Sequence, residues 1–300
     1  MKNELQLKLE RITNVKNFQY LLSERQDQNR IKQYYTTNSL PYLLFHNRLG
    51  FLHMGISNDG NYKKDDLYVS VGKIDDYIKS NDKSKVLELG FGRGANLNFL
   101  AKRNPNVEFY GIDLSTKPLK QYSNNSNIKF VNGDYHNIKD LIEEKFGIVF
   151  AIEAVCHSND LNALFVSISD SLEEGGYFIL FDGYYLKNKE AMNDYEKKCC
   201  TFVEKGMSVD KFHNVADFEQ LAESTKLKLV NKIDYSKQIL PSLYRFEKLA
   251  KVYFEHKTIS RIVNKILPEM FIRNSLAGYL MPDLIKNGLA GYYMHIFKKQ

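Results

Sequence analysis

Three hundred residues, 43% hydrophobic and 26% charged, describe an ordinary soluble globular chain, large enough to bury a substantial core. No apolar run approaches the roughly 20 residues of a membrane span. The N-terminus MKNELQLKLERI lacks an apolar leader core, and Cys156, Cys199 and Cys200 form neither a disulfide framework nor a zinc spacing, so a cytoplasmic protein with reduced thiols and no metal is expected. The net charge of +6 is local: residues 236–300 carry eleven Lys/Arg against four Asp/Glu, and with no Lys/Arg run or RNA-binding signature nucleic acid is not expected as a partner.

Residues 1–80 read as mostly helical. From residue 85 the pattern changes to short apolar runs, KVLELG (85–90), VEFYGIDL (107–114), IKFVNGD (128–134), GIVFAIE (147–153) and GYFILFDG (176–183). Helical stretches are predicted between them at about 94–103, 116–123, 137–144 and 160–172. Near-continuous apolar strands alternating with helices imply a parallel sheet covered on both faces, a doubly wound α/β domain with its ligand at the carboxyl ends of the strands. Residues 186–212 are polar and helical. A helix at about 214–225 then leads to a strand at 227–235, and a last strand follows at 291–299. The intervening 55 or so residues, rich in Tyr, Phe, Leu and Lys, are too long for a loop and suggest a functional cover. The expected organisation is thus an N-terminal helical cap (1–80), an α/β core (81–185), a helical insert returning to the sheet (186–236), a helical lid (237–290) and a final core strand (291–300).

The stretch VLELGFGRGANL (86–97) raises the question of which nucleotide is bound. Read as G-x-G-x-x-A it passes for a dinucleotide fingerprint. Glu88, however, lies two residues before Gly90, where it would repel a pyrophosphate but help hold a cationic amino-acid group. Asp113, ending the second strand, suits two ribose hydroxyls in either nucleotide class. Asp134, in NGDYHN, can accept a hydrogen bond from an adenine amino group, with Tyr135 flanking the ring. FAIEAVCHSND then puts Glu153 and His157 at the tip of the fourth strand.

Taken together, E-x-G-x-G-x-G (Glu88, Gly90, Gly92, Gly94), Asp113, Asp134 and the Gly175–Gly176 turn resemble the class I S-adenosylmethionine-dependent methyltransferases over residues 85–183. The resemblance implies S-adenosyl-L-methionine as cofactor and a Rossmann-like seven-stranded sheet with an antiparallel last strand and a helical cap. A closer resemblance is to sterol C24-methyltransferases and related small-molecule enzymes: Tyr34–Tyr35, then His53-x-Gly55, the segment Ala151–Ala154 with His157, and the ending NGLAGYYMHIFKK. This sequence departs from them at Ser57, where an aromatic residue is expected, at the proline-free Glu173–Gly176 turn, and at GFGRG itself, which puts a sterol acceptor in doubt.

The resemblance implies that Glu88, Gly90, Gly92 and Gly94 shape the methionine end of the cofactor, that Asp113 and Leu114 meet ribose and adenine, and that Gly133, Asp134 and Tyr135 complete the adenine slot. By the same resemblance, Tyr34 and Tyr35 would fold the N-terminal segment over the cofactor. Glu153 and His157 lie near the acceptor, as stabiliser or base, with Glu153 also counted among the cofactor contacts. The aromatic residues of the inserts, Tyr184 to Tyr279, suit a hydrophobic or amphiphilic small-molecule acceptor, with carbon methylation of an isoprenoid-like chain favoured over N- or O-methylation of another metabolite. An NAD-dependent oxidoreductase and a non-catalytic cofactor-binding protein are the competing classes. The basic, amphipathic stretch 260–280 has a second use as a peripheral membrane contact.

Overall fold

The computed structural model describes residues 3–24, 47, 49–114, 118–122 and 125–300. Their centre is a seven-stranded sheet in the order β3-β2-β1-β4-β5-β7-β6. It comprises β1 (Lys85–Leu89), β2 (Glu108–Asp113), β3 (Ile128–Asn132), β4 (Phe146–Ile152), β5 (Leu172–Tyr185), β6 (Leu227–Asp234) and β7 (Ala290–Lys299). The first five strands are parallel, and β7 runs antiparallel between β5 and β6. This is the doubly wound architecture expected from the sequence, including the antiparallel last strand.

The order reverses between β1 and β4, which opens the crevice where such sheets hold ligands. Alternation along each strand builds two cores. Val86, Phe109, Ile148 and Phe150 face α2 (Val69–Ser80) and α3 (Ala95–Arg103), with Ile74, Ile78, Leu97 and Leu100 packed on them. Leu87, Leu89, Ile112 and Val149 face the other way, onto α4 (Ile138–Leu141), α5 (Leu161–Ser171) and α7 (Val215–Glu223). All of β4 is buried, as its uninterrupted apolar run requires of a central strand.

A third core lies beyond the sheet. The N-terminal helix α1 (Glu4–Val15), α6 (Asp194–Gly206), α8 (Leu240–Glu255) and α10 (Glu269–Lys286) bury Leu5, Leu9, Phe202, Tyr253, Phe254 and Leu276 together. Between α8 and α10 runs α9 (Lys257–Ile266). Lys8, fully buried on α1, clamps this layer: its Nζ lies 2.6 Å from Glu247 of α8 and 2.5 Å from Asp283 of α10, and donates to the Tyr279 carbonyl at 2.6 Å. Cys199 and Cys200 are buried here as free thiols.

Two local expectations differ. Residues 118–122, inside the stretch read as a helix at 116–123, hold a turn instead: the Tyr122 N–H bonds the Leu119 carbonyl at 2.7 Å, and the Leu119 N–H is taken by the Arg93 carbonyl at 3.0 Å. Strand β5 begins at Leu172, four residues ahead of its expected start, and the mismatch is absorbed by an irregularity opposite Gly147 of β4. Among the described residues no helix is long and apolar enough to cross a membrane.

Candidate active site

The first functional element is the turn after β1. Gly90 and Gly92 have φ of +73° and +55°, left-handed values that side chains resist. Space forbids a side chain as well: a Cβ on Gly90 would lie 2.6 Å from the Ala154 Cβ, and one on Gly92 would lie 2.8 Å from Leu52. The turn therefore presents bare backbone to a cavity of about 80 Å³ lined by Gly90, Gly92, Asn96, Asp113, Leu114 and Tyr135, among others. Asp113 Oδ2 accepts from the Gly92 N–H at 2.9 Å, which fixes the carboxylate at the rim.

Glu88 points from β1 towards α3. It is buried, and its Oε1 accepts from Asn96 Nδ2 at 2.7 Å. Its Oε2 has no hydrogen-bond partner among the described residues. Burial pushes its pKa up to about 8, and the charge of Asp113 adds to the shift. Its unpartnered oxygen can accept from a cation or another donor, but Glu88 itself does not line the cavity, whose wall is formed there by Asn96.

At the tip of β4, Glu153 adopts a left-handed φ of +53°, uncommon for a residue with a side chain. Its N–H is tied to the Phe181 carbonyl at 2.8 Å. Its Oε1 accepts from the Met54 N–H at 2.7 Å and from the Tyr292 hydroxyl at 2.9 Å. Burial raises its pKa to about 7, opposed by those two hydrogen bonds. His157 lies close by, and burial lowers its pKa to about 4, so the ring is neutral at physiological pH.

The segment carrying His53, Met54 and Gly55 joins these parts. His53 Nε2 lies 3.1 Å from Asn96 Oδ1 and its Nδ1 lies 3.0 Å from the Met54 carbonyl. Gly55 is held on both sides by Ser242 of α8, whose hydroxyl accepts from its N–H at 3.0 Å and donates to its carbonyl at 2.9 Å. A Cβ on Gly55 would meet the Asp66 Cβ at 2.8 Å, which explains the glycine in the His-x-Gly pattern.

A second cavity, of about 290 Å³, opens under α8, α9 and α10. Leu52, Glu153 and His157 line both cavities, so Glu153 stands where the two meet. The walls of the larger one are chiefly aliphatic, including Leu243, Val263, Leu267 and Met281. Of the insert aromatics singled out in the sequence, Phe246, Tyr253 and Phe271 line it. Tyr184, Tyr185, Phe202, Phe254 and Tyr279 are spent in the packed cores.

The structure thus gathers Gly90, Gly92, Asp113, Leu114, Tyr135, Glu153 and His157 around the smaller cavity. Glu88 lies behind Asn96, and Gly94, at φ +79°, caps the start of α3. Asp134 is engaged locally: its Oδ1 takes the His136 N–H at 3.0 Å and lies 2.5 Å from the His136 ring, while a Cβ on Gly133 would strike Leu141. Neither residue lines the cavity. Tyr34 and Tyr35 lie outside the described residues. Asn96, Tyr292 and Asp182 were not legible as site residues. Asp182 is buried at the larger cavity with its pKa raised by burial to about 6, and it accepts the Cys156 N–H at 2.9 Å. No cluster of three potential metal ligands occurs among the described residues.

Residues 87–180 match the family model of a methyltransferase domain. The chain is similar to the sterol 24-C-methyltransferase of Candida albicans, 24% identical over 165 residues, which are 53% of this chain and 43% of that enzyme's length. In fold it is similar to the cyclopropane synthase MmaA2 of Mycobacterium tuberculosis (TM-score 0.71, 13% identity, covering 91% of this chain and 99% of that one). It is likewise similar to a geranyl diphosphate methyltransferase solved with GPP and sinefungin (TM-score 0.63, 13% identity, 91% and 99% covered). Residues 87–180 thus carry a methyltransferase domain, in a chain whose fold is similar to those of the cyclopropane synthase and the geranyl diphosphate methyltransferase.

Proposed function

We propose that this chain methylates a hydrophobic or amphiphilic small molecule, with a carbon of an isoprenoid-like chain as the favoured acceptor atom. The observation that carries the reading is the junction at Glu153, where a small polar cleft beside the glycine turn meets a 290 Å³ aliphatic chamber. The residues beside the cleft fit S-adenosylmethionine. Asp113 matches its ribose hydroxyls and Tyr135 its adenine face, with Gly90 and Gly92 admitting it closely, and the unpartnered Oε2 of Glu88, behind the wall at Asn96, has the charge its ammonium needs. The cofactor, when bound, supplies an electrophilic methyl group.

The chain's own residues do the rest. The chamber aligns an apolar acceptor and excludes water, which in-line displacement needs. A trisubstituted alkene that gains a methyl group leaves a carbocation beside Glu153, and Phe246 and Phe271 are the chamber-lining rings available to stabilise such charge. Glu153, with a pKa near neutrality and two donors holding one oxygen, is suited to take the proton lost from the adjacent carbon. His157, neutral with a pKa near 4, is the weaker base of the two and is better suited to positioning. By name, the geranyl diphosphate enzyme and the sterol enzyme agree with an isoprenoid acceptor class.

The test is incubation with labelled S-adenosylmethionine and a panel of prenyl diphosphates, sterols, unsaturated acyl lipids, amines and phenols. Label in an alkene-bearing acceptor is expected, with kcat/KM rising up to about pH 7 and lost in Glu153→Gln while S-adenosylhomocysteine binding persists. Label confined to small polar amines or phenols, insensitive to Glu153→Gln, would overturn the reading.

A further inference from the structure

The chamber does not close on itself. Leu249 and Val252 of α8 and Ile259 of α9 line it and yet are 50%, 43% and 37% exposed, so they form its rim. The same apolar face of α9 continues outward through Ile262 and Ile266, which are 52% and 72% exposed. Isolated exposed aliphatics are ordinary, but five on two packed helices around one opening form a patch that soluble surfaces avoid.

Charge surrounds this patch. Residues 240–267 hold six Lys/Arg and two Glu. Both acids are already taken, Glu247 by Lys8 and Lys251, and Glu255 by Arg11. Lys248, Lys257, Arg261 and Lys265 make no ion pair among the described residues. On α9, Lys257, Arg261 and Lys265 recur every four residues on a stripe beside the apolar one, while Ser260 packs inward.

We propose that this rim docks on the surface of an anionic lipid bilayer, with Ile259, Ile262 and Ile266 entering the acyl boundary and the four cations meeting headgroups. The inference rests on the proposed function only in that a chamber opening into a bilayer receives an apolar acceptor from it. A second copy of the chain fits poorly, because a two-fold contact would press unpaired cations against themselves. A protein partner is disfavoured by the absence of aromatic anchors among the five rim residues. An interfacial helix with an apolar stripe and a basic flank is built for the lipid boundary.

Sedimentation of the full chain with vesicles tests this without acceptor or cofactor, so its failure leaves methyl transfer standing. Retention is expected on phosphatidylcholine vesicles containing phosphatidylglycerol, at low salt, and not on phosphatidylcholine alone. The variant I262D/I266D should partition at least ~10-fold more weakly, and K257Q/R261Q/K265Q should lose the preference for anionic lipid, with a similar loss of about 10-fold or more. Both should keep the wild-type melting curve and S-adenosylhomocysteine affinity, since none of these residues touches the cleft. No retention at low salt, or retention that neither variant weakens, overturns the proposal. A concentration-dependent dimer abolished by I262D/I266D would reassign the patch to a contact between copies.

Discussion

Glu88→Gln separates what Glu88 does for stability from what it does for binding. The wild-type carboxyl is buried with one vacant oxygen and a pKa pushed to about 8, whereas in the unfolded chain it titrates near 4.5. The folded state thus holds its proton more tightly. The stability this proton brings is complete below pH 4.5 and is lost as pH rises towards 8, at ~1.4 kcal/mol per unit. By pH 7 the accumulated loss is ~3 kcal/mol. Glutamine at this position keeps the shape and the hydrogen bond with Asn96 but does not titrate. The variant without ligand should therefore match wild type near pH 4.5 and exceed its unfolding free energy by ~3 kcal/mol at pH 7 in urea titrations. Binding should go the other way. A cationic ligand pairs with the ionised carboxylate, so wild-type affinity for S-adenosylhomocysteine should fall about tenfold per unit below pH 8, with release of one proton in calorimetry. Glu88→Gln should weaken binding roughly 10- to 150-fold at pH 8 and release no proton, the scale of a lost charge-assisted hydrogen bond. Parallel stability curves for the two proteins, together with pH-independent wild-type binding, would refute the reasoning.

Two further substitutions test the frame around the site. Lys8→Ala leaves Glu247 and Asp283 buried without their shared cation, and should cost ~3–5 kcal/mol, seen as a melting temperature lower by on the order of 5 °C; an unchanged melting temperature would mean that the clamp contributes nothing. Gly90→Ala forces a Cβ against Ala154 at a φ of +73°, and should cost ~2–4 kcal/mol and weaken S-adenosylhomocysteine binding by displacing the residue next to Glu153; calorimetric titration and a melting curve check both.

What was legible in the sequence was whatever is encoded locally. The apolar runs of β1, β2 and β4 announce buried parallel strands, and the glycine spacing announces a turn that must bring backbone close to something. Glu88 and Asp113 follow from their positions at strand ends. Tyr292 was not legible, because it lies 139 residues from Glu153 and reaches it only through the pairing of β7 with β5, which sets Tyr292 opposite Gly183. Met54 contributes a backbone N–H, which no side-chain pattern advertises. Asp134 read as an adenine contact from its place after β3, yet His136, two residues on, captures it locally. The insert aromatics suggested a ring-lined pocket. Their count says nothing of direction, and packing turned half of them into the cores while aliphatic side chains took most of the chamber wall.

Counting donors and acceptors ties the protonation of Glu88 to its neighbours, with the Asn96 hydrogen bond working against the rise that burial causes. His53 has the Met54 carbonyl at Nδ1 and Asn96 at Nε2, and Asn96 in turn meets Glu88. Burial keeps the His53 ring neutral, so it owns one N–H. With Nδ1–H donated to Met54, Nε2 must accept, which requires the Asn96 amide to turn its NH₂ to His53 and its oxygen to Glu88. The bond to Glu88 then exists only if that carboxyl carries a proton. If Glu88 is ionised, Asn96 must give its NH₂ to the carboxylate. The His53 proton then moves to Nε2, and a lone pair on Nδ1 faces the Met54 carbonyl. The uncharged arrangement therefore matches both ring nitrogens of His53, whereas the Asn96 orientation in the structure, Nδ2 to Glu88 and Oδ1 to His53, is that of the ionised carboxylate, which a cation placed at Glu88 favours. Met54 also donates its N–H to Glu153, so the tautomer of His53 bears on the peptide that holds the acceptor-side carboxylate. Nitrogen shifts of His53 should switch tautomer when S-adenosylhomocysteine binds to wild type and stay fixed in Glu88→Gln. A tautomer indifferent to ligand in the wild type would leave the two carboxylates as independent groups that share only a wall.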